Sequence, residues 1–239
     1  MAGNVEAPPE PVVRDALDKA LAASRFSELA EAPRGLRTPP AGYKSEATFD
    51  RIVETAAQVL DDVPLRDITT HLVADKAEVN IATLYRYFAD LEAILLEFSI
   101  RWHRLSLLGI HQMVILGVTE DQYAGDRRRW VDEMIDLAVV VRTDTPGAQG
   151  ITRDAPAMPG VLEVWDAAEE AGAHLLAIGA GYYAPGLRSE KEWREITLTQ
   201  VRAVGHCLVK ACSTRPADLR QIELTKDLAY RYFVPFLEE

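Results

Sequence analysis

Basic residues are scarce in this chain. Its 26 Lys and Arg stand against 37 Asp and Glu, a net charge of −11, and bulk charge of that sign disfavours a surface built to neutralise nucleic acid. Cysteine is nearly absent. Cys207 and Cys212 lie in one helical stretch, a poor geometry for a disulfide and too few ligands for structural zinc. Long apolar runs are missing too: no window approaches the roughly 18 uninterrupted apolar residues of a membrane span, and the opening MAGNVEAPPEPVV lacks a basic start followed by an apolar stretch. The expected compartment is the cytoplasm, with no membrane partner. What the 239 residues do contain, at 48% hydrophobic, is enough apolar material for one large domain or two smaller ones.

The chain divides by its punctuation. Val13, Ala16, Leu17, Ala20 and Leu21 recur at helical spacing and predict one amphipathic helix over residues 12–31. PRGLRTPPAG, residues 33–42, has no periodicity and reads as a linker, so residues 1–43 form an N-terminal extension. From there the pattern is helical throughout, with no strand alternation and no fixed repeat, and the expected fold class is all-α. A stripe of Phe49, Ile52, Val53, Ala56, Ala57, Val59 and Leu60 is followed by two short helices, residues 70–76 and 81–88, joined by residues 77–80. A further helix, capped by Asp90, should run to about Leu108. Short helices with a tight joint, flanked by longer ones, are the layout of a helix-turn-helix, placed here at residues 44–95. Longer helices at 127–143, 161–183, 189–212 and 216–237, broken at TPGAQG, APAMPG and APGLR, fill residues 96–239.

The run VNIATLYRYF, residues 79–88, is too apolar for a solvated surface and too hydroxylic for a plain core. On a helical wheel Ile81, Leu84, Tyr85 and Phe88 share one side, and Ala82, Thr83, Arg86 and Tyr87 the other. The second face is small, hydroxylic and basic. It can approach a major groove, touch a thymine methyl and donate to phosphate or guanine. Asn80 suits the N-cap. On wheel geometry alone an ordinary half-polar helix fits as well.

The whole run TTHLVADKAEVNIATLYRYFADLEAIL, residues 69–95, resembles the DNA-binding domain of the tetracycline-repressor (TetR) family of bacterial regulators, with ATLYRYF its most specific part. The resemblance implies packing roles for Val73, Ala74, Ala77, Val79, Leu84 and Phe88. It implies DNA contact at Thr70, Asn80, Ile81, Ala82, Thr83, Tyr85, Arg86 and Tyr87, and Lys44 and Arg66 are expected to join Arg86 as cations on the contact side. Two positions depart from the family pattern. Glu78 stands where Gly is frequent in the turn, and Leu91 where a phosphate-binding Lys is common. Residues 36–104 carry 8 Lys and Arg against 11 Asp and Glu, so DNA binding by this segment must rest on few phosphate pairs.

The resemblance also implies that the larger half binds a small effector and dimerises. Trp102, His103, Trp130, Met134, Met158, Trp165 and His174 are the candidate pocket residues, and their types suit a mostly apolar ligand. The last two helices are the expected two-fold interface, through Trp193, Ile196, Leu198, Val201, Val204 and Leu208 on one and Ile222, Leu224, Leu228, Tyr232 and Phe233 on the other. A homodimer would set two reading heads on a palindromic operator in double-stranded DNA. The histidines make no metal-binding spacing with a carboxylate, no cofactor is expected, and no nucleophile elbow, phosphate loop or zinc helix suggests an enzyme. The expected function is therefore a ligand-responsive repressor. The rival is an all-helical interaction protein whose helix-turn-helix serves packing only.

Overall fold

A computed structural model describes residues 8–120, 123, 126–154 and 157–238. The described chain is all helical apart from one isolated bridge between Leu36 and Phe88. In order the α-helices are α1 (Glu10–Ala22), α2 (Arg25–Glu31), α3 (Tyr43–Asp62), α4 (Thr70–Lys76), α5 (Ile81–Tyr87), α6 (Leu91–Thr119), α7 (Arg127–Thr143), α8 (Ala148–Asp154), α9 (Pro159–Tyr183), α10 (Glu190–Ala211) and α11 (Leu219–Phe233). A 3-10 turn, Leu65–Asp67, precedes α4, and another, Val234–Leu237, follows α11.

Two compact units divide this chain. One comprises Glu28–Leu105 with Val140–Asp166, and the other the described residues of Met1–Ser27, Ser106–Val139 and Ala167–Glu239. The first holds the helix-turn-helix. The apolar stripe foreseen on α3 is buried throughout: Ile52, Ala56 and Leu60 are fully enclosed, and Phe49, Val53, Ala57 and Val59 nearly so. Phe49 stacks on Phe88, with centroids 4.8 Å apart, and meets Tyr87 edge-on at 5.6 Å. Arg101 of α6 ties the same region together, bonding Asp50 on α3 and Glu97 on its own helix, both at 2.8 Å.

Residues 145–150, read from sequence as a break, instead lead into and begin α8. Asp61, at the end of α3, accepts the N–H groups of Gly147 at 2.8 Å and Gly150 at 2.9 Å and so supplies from a distant residue the cap that the local sequence lacks. Gly150 lies so close to α3 that a Cβ there would stand 2.4 Å from the carbonyl oxygen of Leu60. Glycine marks a close approach here, which a chain-local pattern cannot separate from a helix break. The fourth helix of the helix-turn-helix region, α6, likewise continues to Thr119 instead of ending near Leu108.

The N-terminal segment forms two helices where one was expected. The hydroxyl of Ser24 donates to Leu21 O at 2.6 Å and accepts the N–H of Ser27 at 3.2 Å, closing α1 and starting α2. Val13 and Leu17 of α1 are fully buried, and Asp18 bonds His111 of α6 at 2.9 Å, so this extension is built into its unit. One core cluster runs between α7, α10 and α11 through Val131, Ile135, Leu208, Ala211, Ile222 and Ala229. A second cluster joins Ala177 and Ala180 of α9 to Trp193 and Phe233. Trp193, Leu208, Ile222 and Phe233 are thus enclosed within the protomer's own core, contrary to their expected place on a dimer surface. Ser189 and Glu192 form a reciprocal capping box at the start of α10, and Asp218 caps α11.

Candidate nucleic-acid interface

Helices α4 and α5 begin where their hydroxyl and amide side chains dictate. Thr69 accepts the N–H of Leu72 at 3.1 Å, and Asn80 accepts the N–H of Ala82 at 2.8 Å. Between them the joint turns at Glu78, whose φ of 52° is left-handed. This is the position at which the turn has to accommodate a Cβ in place of glycine. Val73, Ala74, Ala77 and Leu84 are buried, as their packing roles require, and Val79 is half-buried.

The expected contact residues divide by exposure. Lys44, Arg66, Asn80, Ala82 and Arg86 are exposed, and Thr70, Ile81, Thr83 and Tyr85 are half-buried. Thr70 and Tyr85 share a hydroxyl–hydroxyl hydrogen bond of 2.8 Å, which ties α4 to α5. Arg66 lies 3.6 Å from Asp67, so part of its charge is locally balanced. At the start of α6 Asp90 accepts the N–H of Ala93 at 2.9 Å. With Leu91 in place of a lysine, that helix end therefore presents a carboxylate.

Tyr87 is the correction to the wheel. Placed there on the outward face with Arg86, it is only 1% exposed. Its ring packs against Phe49, and its hydroxyl shares a 2.8 Å hydrogen bond with Ser45 of α3 and accepts from Arg86 at 2.5 Å. The buried arc of α5 is centred on Leu84 and flanked by both Tyr87 and Phe88, because α3 closes over the C-terminal turn. Arg86 lies over the Tyr87 ring, 4.6 Å from its centroid, and remains exposed.

The segment read as a linker is docked on the end of α5. Gly35 O accepts the N–H of Ala89 at 2.8 Å, and the backbone N–H of Arg37 donates to Tyr87 O at 2.7 Å. The Arg37 guanidinium donates to Tyr85 O at 3.0 Å. The two Arg37 bonds satisfy carbonyls that the helix end would otherwise leave open. Gly35 is required twice over, by its φ of 80° and by Ala93, whose Cβ would lie 2.7 Å from an added Cβ. Periodicity carries no sign of such a strap.

The expected ligand residues fall into separate places. Trp102, His103 and Trp165 form an aromatic cluster in the first unit, with Trp102 at 4.7 Å from His103 and 5.6 Å from Trp165. Their polar atoms are engaged internally: Trp102 Nε1 donates to Val141 O at 3.1 Å, and His103 Nδ1 bonds Ser99 O at 2.8 Å. Burial pushes the His103 pKa down to about 4, with Arg142 acting in the same direction and the Ser99 carbonyl opposing. Met158 is buried, Met134 half-buried, and His174 lies 3.6 Å from Glu190, its pKa lowered chiefly by burial. Trp130 alone of the seven lines the cavity of the second unit. That cavity measures about 490 Å³ including its open mouth. Its walls include Val114, Gly117, Leu176, Ala180 and Phe233, and Trp130 Nε1 is satisfied by Met113 O at 2.8 Å. At the mouth Arg127 donates to the hydroxyl of Tyr183 at 2.8 Å and to Glu238 at 2.6 Å. Reading from sequence missed these residues. Gly117 marks the close packing of the Trp130 ring on α6, since an added Cβ would stand 2.4 Å from its Nε1.

A two-helix reading motif on an all-helical scaffold, with the second helix capped at its start and exposing Ala82 and Arg86, defines a helix-turn-helix DNA-binding protein. Residues 52–98 match the family described as bacterial regulatory proteins, tetR family. A solved structure of a TetR-family transcriptional regulator from Streptomyces coelicolor is similar in fold, with a TM-score of 0.57, 20% identity, and coverage of 80% of this chain and 97% of that one. No curated protein sequence matches the chain.

Two predictions test the local assignments. Tyr87→Ala should lose about 3–5 kcal/mol of stability in urea unfolding, as buried aromatic truncations do, whereas Tyr87→Phe, keeping the ring, should lose only about 1 kcal/mol. Equal and negligible losses would return Tyr87 to the surface. His103 is neutral when folded, because its folded pKa of about 4 lies below the ordinary 6.5. Its contribution is complete above pH 6.5 and is lost as pH falls toward 4, amounting to roughly 3 kcal/mol at the acid end. Stability measured from pH 7 to 4 should therefore fall less steeply for His103→Gln than for the wild type.

Proposed function

We propose that this protein is a homodimeric repressor that a small apolar effector releases from a palindromic operator. The observation that carries the reading is α5 itself: a helix held at both ends, with Ala82 and Arg86 exposed and Thr83 beside them. Small side chains permit close approach to the major groove, and an arginine can donate bidentately to guanine or pair with phosphate. Dimerisation is supported by the outer face of α10 and α11, where Leu224 and Leu228 are 48% and 43% exposed beside a groove lined by Ala203, Val204 and Tyr232. A two-fold pair of such faces would present two copies of α5 to two half-sites.

The effector site in this reading is the cavity at Trp130. Its apolar walls suit a hydrophobic body. Val114 and Gly117 on its wall belong to α6, the helix that follows α5 in the chain. An effector that binds the DNA-free form more tightly by about 1–3 kcal/mol would weaken operator binding roughly 5- to 150-fold. The acidic balance around the motif favours one rival, an interaction protein in which the helix-turn-helix only packs.

Retention of sheared host DNA by the purified protein separates the two. Wild type should enrich a few fragments that share a palindrome, and Arg86→Ala should not; equal retention by both favours the rival, and sedimentation as a monomer at micromolar concentration removes the two-fold part. For the effector site, anilinonaphthalene sulfonate should fluoresce on binding the wild type and lose that signal in Leu176→Trp, which fills the cavity. An unchanged signal in a folded Leu176→Trp protein places the apolar site elsewhere.

A further inference from the structure

The strap before α3 carries charge of one sign. Between Glu31 and Glu46 the chain has Arg34, Arg37 and Lys44 and no carboxylate. Arg34 is turned to Glu163, 3.7 Å away. Arg37 and Lys44 are exposed, and among the described residues neither is held in an ion pair. Both are nevertheless fixed relative to α5. Arg37 is bonded to it through its backbone and its guanidinium, and Lys44 precedes Ser45, whose hydroxyl meets that of Tyr87 at 2.8 Å.

The position of Arg37 has an electrostatic meaning. The C-terminal end of a helix bears roughly half a negative charge from its aligned peptides, a poor neighbour for phosphate. A guanidinium has five N–H donors, and Arg37 uses one on Tyr85 O, so its remaining donors and its full positive charge stay available at that end. A carbonyl-rich helix terminus thereby becomes a cationic one. We propose that residues 33–44 form a second DNA-contacting element, in which Arg37, with Lys44, binds the phosphodiester backbone beside the groove that α5 enters. This rests on α5 being the DNA-reading helix. It accounts for how a segment with more carboxylates than cations could hold a polyanion: the favourable charges are few but locked to the reading helix.

Phosphate contacts are independent of sequence, so a mixed-sequence duplex is a sufficient probe. Binding of the full-length protein to such a labelled duplex is measured by anisotropy across a salt series. Arg37→Gln should bind about five- to tenfold more weakly at ~0.1 M salt, with the slope of log K against log salt shallower by about 0.9, the signature of one lost phosphate contact. Arg37→Lys should keep the wild-type slope. If Arg37→Gln shows the wild-type slope, whatever its melting temperature, Arg37 only braces α5 and the proposal is overturned. A wild type with no affinity for the duplex at ~20 mM salt overturns the DNA reading of α5 and the strap with it.

Discussion

A helix of seven residues has no stability of its own in water, because the cost of nucleation outweighs the few hydrogen bonds that so short a helix can form. The reading face on α5 therefore exists only through what grips its ends. Asn80 holds the first turn; Tyr87 and Phe88, closed against Phe49, hold the last. The Thr70–Tyr85 hydrogen bond fixes the roll of α5 against α4. Four residues expected to meet DNA, Thr70, Asn80, Tyr85 and Tyr87, are thus also the ones that hold the helix in place.

That frame explains why the motif was readable and its orientation less so. The apolar stripe of α3, the Asn80 cap and the boundaries of α4 depend on residues near one another in sequence, and each was legible. The rotation of α5 depends on Phe49, more than thirty positions away in the chain. A wheel has no knowledge of which neighbour will close over a helix, so it assigned Tyr87 to water. The strap was invisible for a related reason: its hydrogen bonds are made by backbone groups, which have no residue signature. The N-terminal helices show the opposite case, since Ser24 could have marked the break that apolar periodicity passed over.

The candidate effector site shows how composition misleads. Large aromatic and sulfur-containing side chains mark apolar environments, whether filled or open. Trp102, His103 and Trp165 fill their space with each other, while Trp130 packs on Gly117 and borders a cavity.

The unit that carries α5 is discontinuous along the chain: Asp61 receives the amides of Gly147 and Gly150, and Val140–Asp166 belongs with Glu28–Leu105. On the ribosome, then, the reading head cannot complete itself when its own motif emerges. The flank of α3 at Ala57 and Leu60 stays uncovered until some ninety further residues have been synthesised, which at ordinary elongation rates is an interval of about 5–20 s. Activity in a nascent chain must wait for a segment that lies well beyond the motif.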